Sequence, residues 1–218
     1  MKFPIGVQSF ERLRNEGFVY VDKTAFVYKM VNEGRCYFLS RPRRFGKSLL
    51  MSTIEAYFKG KRQLFEGLAL ETLEKEWNVH PVLHLDLNAK PFAKLQDLYD
   101  LLDDQLSFYE QMYDSVAVDK SPEGRFRQLI RSAREKTGRG VVVLIDEYDK
   151  PLLQAIGNEA LQEEFRNALK AFYGVLKSAD DDLRFTLLTG VTKFGKVSVF
   201  SDLNNLNDIT TDVRYHDV

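Results

Sequence analysis

The chain has 218 residues, 44% of them hydrophobic and 29% charged, with 31 basic side chains against 32 acidic ones. That length fits one sizeable domain better than two small ones, and the near-cancelling charge argues against a nucleic-acid or membrane-surface protein driven by net charge alone. The single cysteine, Cys36, forms no internal disulfide and reads as a packed thiol in the apolar stretch CYFL. The N-terminus MKFPIGVQSF has no apolar core of a signal peptide, and no apolar run approaches the roughly 20 residues that span a bilayer, so a cytoplasmic chain with no membrane partner is expected.

The first strand candidate is CYFLS, 36–40. After a short loop, an amphipathic pattern runs from Lys47 to Lys59 and stops at Gly60. VLHLDL, 82–87, is the second strand candidate, followed by a helical stripe from Leu95 to Met112 carrying Leu98, Leu101, Leu102, Leu106 and Tyr109. Ser121-Pro122-Glu123-Gly124 reads as a cap with proline in the first turn, opening a helix to Lys136. The β-branched run VVVLI, 141–145, suits a strand covered on both faces. A helix over 159–177 then presents Leu161, Phe165, Ala168, Leu169, Phe172 and Leu176, before a last strand candidate, FTLLTG, 185–190. These stripes read as core faces. Strands alternating with helices predict a mostly parallel α/β sheet with helices on both sides, which binds ligands beyond the carboxyl ends of its strands.

The loop after the first strand reads RPRRFGKSLL, from Arg41 to Leu50. A phosphate-binding loop asks for glycine, four free positions, then Gly-Lys-Ser/Thr, at a turn from strand to helix. Arg41 stands in place of the first glycine, while Gly46, Lys47 and Ser48 fill the remaining fixed positions. Their backbone N–H groups fall at a helix N-terminus, where unpaired donors and the helix dipole favour phosphate. Lys47 is expected to reach the β- and γ-phosphates and Ser48 to ligate Mg²⁺. Nucleotide contacts are expected from Arg43, Arg44, Phe45, Gly46, Lys47, Ser48 and Leu49. Arg43 and Arg44 read equally well as extra cations beside the phosphates or as solvated loop charges. Arg41 changes the entry of the loop without emptying the cradle, and Pro42 stiffens that entry. The plainer reading is a basic surface turn followed by an ordinary helix.

VVVLIDEYDKP supplies the partner that such a loop needs, a strand ending at once in Asp146 and Glu147. The first acid would hold Mg²⁺ and the second would orient and deprotonate an attacking water, against the alternative that both merely cap the next helix. Asp86 and Asn88, at the end of the intervening strand, either touch that water or cap a loop. His84 reads as a packed histidine, and His80 and His216 are isolated, so no zinc-type cluster is expected. In Thr189-Gly190-Val191-Thr192-Lys193-Phe194, Thr189 or Thr192 would either sense the γ-phosphate or satisfy a local turn.

Together, RPRRFGKSLL, VVVLIDEYDKPL and LLTGVTKFGKVSVFSDLNNLNDIT resemble the AAA-ATPase-like domain family of prokaryotes, and GVQSFERLRNEGFVYVDKT resembles that family's opening segment. The resemblance runs from about Pro4 to Tyr215. It implies a P-loop NTPase three-layer α/β/α sandwich, with a mostly parallel central sheet of the additional-strand (AAA-like) type. It implies ATP, adenine over guanine, with Mg²⁺ on Ser48 and Asp146, and makes Arg41 a family trait. It also implies an N-terminal segment, 1–34, packing on a nucleotide core, 35–218, near the base. Helical and PD-(D/E)XK nuclease-like regions would follow downstream and are expected to be missing after RYHDV; no nuclease motif is visible, and Asp180 to Asp182 read as a solvated turn. The expected partners are ATP, a downstream nuclease-like domain and further copies of the chain in a homo-oligomer. Direct nucleic-acid binding is not expected. Two functions stand open: an ATPase with Glu147 and Lys47 as catalytic residues, or a nucleotide-binding switch with slow or no turnover that regulates a downstream domain or partner. They differ in whether an arginine completes the charge on the transferring phosphate, with Arg43, Arg44 and Arg184 as candidates in cis and a neighbouring subunit as the candidate in trans. A kinase reading needs an acceptor pocket, whereas the Asp-Glu strand end favours water.

Overall fold

The computed structural model describes residues 2–193, 199–200 and 206–215; Phe194 and His216 lie outside the described residues. Among the described residues, β1 (Cys36–Ser40), β2 (Val82–Asp86), β3 (Val141–Asp146), β4 (Leu183–Gly190) and β5 (Asn207–Asp208) form one sheet in the order β2-β3-β4-β1-β5. Every pairing is parallel. The helices are α1 (Phe10–Asn15), α2 (Thr24–Glu33), α3 (Lys47–Phe58), α4 (Ala69–Leu73), α5 (Leu95–Tyr113), α6 (Pro122–Thr137), α7 (Lys150–Gln154) and α8 (Glu159–Ser178).

Strand alternation divides the core into two apolar layers, one on each face of the sheet. Tyr37, Leu39, Val142, Leu144, Phe185 and Leu187 face α1 to α4 in one cluster. Phe38, Leu83, Leu85, Val143, Ile145 and Leu188 face α5, α6 and α8 in the other. Because both faces are covered, β3 is buried at every position, which is why its sequence is an unbroken apolar run up to Asp146. Each fully buried Leu, Ile or Phe contributes about 1.5–3 kcal/mol by leaving water, so these two layers hold the fold.

The order of the strands positions the site. β4 lies between β1 and β3, pairing Ser40 with Gly190 on one side and Ile145 with Leu188 on the other. β2 pairs Asp86 with Asp146. The carboxyl ends of β1, β4, β3 and β2 therefore stand level along one rim of the sheet. A strand inserted between the loop-bearing strand and the acid-bearing strand is the additional-strand arrangement of a P-loop NTPase-like α/β/α fold.

The edge of β2 is closed by side chains of α5. Tyr109 Oη accepts from the His84 N–H at 2.9 Å and donates to its carbonyl at 3.2 Å, and the Gln105 amide makes the same pair of bonds with Asp86, each at 2.9 Å. Such pairing removes the open ladder on which another strand would add.

The expected strands and long helices are all present, with ends moved by one or two residues. β3 takes in Asp146, β2 stops at Asp86 and β4 starts at Leu183. Ser121 caps α6 by accepting from the Gly124 N–H at 3.1 Å, and Gly60 follows α3 with φ 68°. The short α1, α2, α4 and α7 and the two-residue β5 were not foreseen from the sequence.

Candidate active site

The loop between β1 and α3 is built to expose backbone donors. Arg44 has φ 69° and Gly46 φ 81°, so the chain turns through two left-handed residues before Lys47 starts the helix. At Gly46 this is the conformation in which a side chain is costly, which gives the middle glycine of the motif its physical reason. The first position has a different one. The Arg41 N–H donates to the Gly190 carbonyl at 3.1 Å, continuing the β1–β4 ladder, and its guanidinium donates to the carbonyl of Thr210, just beyond β5. Arg41 therefore fastens the loop's entry to the sheet and does not line the cleft beside it.

Lys47 is 5% exposed, and its three ammonium protons have three acceptors: the Arg41 carbonyl at 3.0 Å, the Pro42 carbonyl at 3.4 Å and Glu147 Oε1 at 3.2 Å. Ser48 Oγ donates to Asp146 Oδ2 at 2.7 Å. The other oxygen of Asp146, Oδ1, accepts from the Thr189 hydroxyl and, at 3.0 Å, from the Glu147 N–H. The serine that opens α3 and the acid that closes β3 thus meet directly, although 98 positions separate them in the chain.

Glu147 leaves the strand with φ 54°, which breaks the alternation that would have sent it to the opposite face from Asp146. Both acids line the same cleft. Tyr148 turns instead into the core, edge-on to Phe38, and its N–H donates to the Thr189 carbonyl at 2.9 Å. Asp149 is fully buried and accepts from the Val191 N–H at 3.3 Å and from the N–H and hydroxyl of Thr192, each at 2.8 Å. These bonds tie the end of β3 to the end of β4.

The cleft is about 1270 Å³. Of the residues expected at a nucleotide site, Arg43, Arg44, Gly46, Lys47, Ser48, Leu49, Asp146 and Glu147 line it together. Phe45 and Thr189 do not: Phe45 is exposed at the loop's tip, while Thr189 is buried behind Asp146 with its hydroxyl committed to that carboxylate. Thr192 serves the local turn through Asp149.

Arg184 sits at the opposite end of β4, where its guanidinium donates to the Val31 carbonyl at 3.0 Å and lies over the ring of Phe58, so it is not an arginine of this cleft. Asp86 and Asn88 both line the cleft; Asp86 Oδ1 accepts from the Asn88 N–H at 2.7 Å, and Asn88 Oδ1 accepts from Lys150 Nζ at 2.8 Å.

Other lining residues were not read from the sequence. Ser48, Ser52 and Glu55 recur at helical spacing along α3 and put one polar line on the cleft, a pattern that was legible inside KSLLMSTIEAYF. His84, expected to be packed, lines the cleft too and makes a 2.8 Å pair with Glu55 through Nδ1. Ser52 Oγ donates to the Gln8 carbonyl and accepts from the Phe10 N–H, both at 2.9 Å, which pins the segment from Pro4 to Ser9 against the cleft.

Burial pushes the Glu147 carboxyl above its ordinary range; the Lys47 ammonium opposes that shift, and the nearby Asp146 and Asp149 add to it. Asp86 is likewise raised, first by burial and then by the charge of Asp146, against the hydrogen bond from the Asn88 N–H. A carboxyl raised by burial beside a cation in a cleft is a candidate for proton transfer. Ser48 and Asp146 offer an oxygen-only donor pair, which suits a hard cation such as Mg²⁺ that keeps most of its waters and takes its other ligands from phosphate. Among the described residues no group of three or more His, Cys, Asp or Glu side chains could form a protein-only metal cage.

A strand-loop-helix with left-handed glycine, a buried lysine and a serine facing an aspartate across a parallel sheet defines a P-loop NTPase-like protein. The family model described as "Predicted AAA-ATPase" matches residues 4–200, and the chain belongs to that family. It is also 42% identical over 215 residues to a protein of Azotobacter chroococcum mcd 1 described as "Uncharacterized protein in vnfD 5'region". The match covers 98% of this chain and 42% of the relative. No helix among the described residues is long and apolar enough to cross a membrane.

Proposed function

We propose that this chain binds ATP with Mg²⁺ in the cleft between the 41–48 loop and the end of β3, and hydrolyses it. The observation that carries this reading is the 2.7 Å contact between Ser48 Oγ and Asp146 Oδ2, with Lys47 and Glu147 on either side. The backbone N–H groups from Gly46 to Ser48 would hold the phosphate oxygens, and Lys47 would exchange its internal acceptors for the β- and γ-phosphates. Ser48 and Asp146 would hold Mg²⁺, which supplies neutralisation of charge on the phosphate oxygens. Glu147 would take a proton from water as the water oxygen bonds to the γ-phosphorus. The bond from that phosphorus to the β–γ bridging oxygen breaks, and its electron pair leaves with ADP. The base would lie against the segment from Pro4 to Ser9, a placement supported by the Ser52 bonds that hold this segment at the cleft.

The Lys47–Glu147 ion pair favours a second reading, a switch with slow or no turnover. A base held by the phosphate-binding lysine is not free until the phosphates draw that lysine away. Coupling of the nucleotide state to a further region of a longer chain, whether a nuclease-like domain or a second copy, belongs to the same proposal. Steady-state phosphate release from ATP with Mg²⁺, beside Glu147→Gln and an ATP-binding titration, separates the two. Turnover in the wild type that disappears in Glu147→Gln supports the hydrolase, whereas tight binding without turnover supports the switch. Absence of ATP binding would sink both.

A further inference from the structure

The transition state of hydrolysis spreads negative charge over the equatorial oxygens of the transferring phosphate and the leaving bridging oxygen, and on that reading of the site a cation beyond Lys47 would stabilise it. Arg184 is removed by its position at the far end of β4. Arg43 and Arg44 rise from the loop itself, on the same wall as Lys47. Lys150 comes from the turn after β3. It opens α7, and its N–H donates to the Glu147 carbonyl at 3.0 Å, so its backbone is fixed one tight turn beyond the proposed base.

The side chain of Lys150 is held by a neutral oxygen, as are those of Arg14, Arg41 and Arg184, but it alone of these lines the cleft. Lys47, Lys59, Lys61 and Arg125 all meet carboxylates. Lys150 instead donates to the neutral amide oxygen of Asn88 at 2.8 Å, and makes no ion pair among the described residues. Both Lys150 and Asn88 line the cleft that holds Lys47, Ser48, Asp146 and Glu147. An ammonium has three donors, so two remain after the bond to Asn88. A half-buried cation oriented by an uncharged partner has donors left for an anion entering the cleft, although the Asp86 carboxylate also lies within reach of its charge.

We propose that Lys150 binds the terminal phosphate of the nucleotide from the acidic-strand side, and that Asn88 is the residue positioning it. This supplies in cis the charge otherwise sought from an arginine of the loop or of a neighbouring subunit.

The test compares Lys150→Met and Lys150→Arg with the wild type in Mg²⁺, titrating ATP and ADP separately and measuring single-turnover phosphate release. Lys150→Met is expected to weaken ATP about tenfold and leave ADP unchanged, because only ATP carries the phosphate in question. Phosphate release should slow about 10²-fold, the scale of losing one well-placed donor to developing charge. Lys150→Arg should restore most of both, and Asn88→Ala should move ATP affinity in the same direction by less, again sparing ADP.

Equal weakening of ATP and ADP by Lys150→Met, or wild-type ATP affinity together with wild-type release, overturns the inference while leaving the nucleotide reading intact. A wild type that binds ATP without turning it over leaves the ATP-to-ADP affinity ratio to decide. A wild type that binds neither nucleotide overturns the underlying reading and this inference together.

Discussion

At the scale of single residues, the proposed chemistry rests on a glutamate whose carboxyl is raised by burial. Burial raises the Glu147 carboxyl above its usual value of 4.5, and the Lys47 ammonium only partly offsets this. A base must be ionised to accept a proton, so raising its pKa moves the acid side of the pH–rate profile upward. The acid limb of kcat/KM for ATP hydrolysis is therefore expected above pH 4.5, and a limb at or below that value would remove Glu147 from the role. Glu147→Gln keeps the shape and loses the base, with an expected fall in turnover of about 10²–10⁴-fold and ATP affinity retained. Lys47→Ala acts on the other term. It removes the cation that would face the phosphates, and ATP binding is expected to weaken by about 1.5–3 kcal/mol, the scale of a hydrogen bond to a charged group, which a titration reads directly.

At the scale of elements, the strand ends are held together by close packing that one methyl group would disturb. A Cβ on Gly190 would stand 2.5 Å from a ring carbon of Tyr148 and 2.7 Å from Asp149 Oδ1. Both neighbours are buried in fixed positions, so Gly190→Ala should cost about 1–3 kcal/mol. The melting temperature should drop about 2–4 °C per kcal/mol, and hydrolysis should fall with it because Asp146 is held from β4. A second joint, between α3 and β2, is the Glu55–His84 pair. Burial works to raise Glu55, but the bonds from His84 and Lys59 win and hold it at about 2, against an ordinary 4.5. A carboxylate depressed in the folded state stabilises it above pH 4.5, and that contribution is lost as pH falls from 4.5 toward 2. His84→Leu should therefore melt about 2–4 °C below the wild type near neutral pH, for a loss on the order of 1 kcal/mol, with the gap narrowing below pH 4.5. These joints also explain what the sequence could tell. Strands and long helices were readable because VVVLI and the Leu98–Tyr109 stripe carry their period locally. His84 looked like core because its neighbours Leu83 and Leu85 are apolar, while its partner Glu55 lies 29 positions away. The helix α2 had a readable line at Val27, Met30 and Val31, whereas the five-residue α4 and α7 are too short to show a period.

At the scale of the whole molecule, the departure from the general loop pattern finds its cause in a contact that sequence spacing hides. Gly46, Lys47, Ser48, Asp146 and Glu147 were legible as a set, because each stands at a strand end or helix start that a short window displays. The role of Arg41 was not, because the carbonyl it reaches belongs to Thr210, 169 positions further on. The Thr210 hydroxyl also accepts from the Ser40 N–H at 3.0 Å, and the Ile209 N–H donates to the Phe38 carbonyl at 3.0 Å, so the short β5 is fastened to β1 by these few bonds and the Arg41 guanidinium. A glycine at this position would satisfy the general pattern and lose the guanidinium bond, while adding backbone freedom to the unfolded chain. Arg41→Gly is accordingly expected to lower stability by about 1–3 kcal/mol, seen as a lower melting temperature, from one charged hydrogen bond together with the glycine cost. The backbone donors from Gly46 to Ser48 would be unchanged, so ATP affinity measured well below that temperature should stay close to the wild-type value. The opposite pattern, an unchanged melting temperature with nucleotide binding lost, would move Arg41 from the sheet's edge into the phosphate cradle itself.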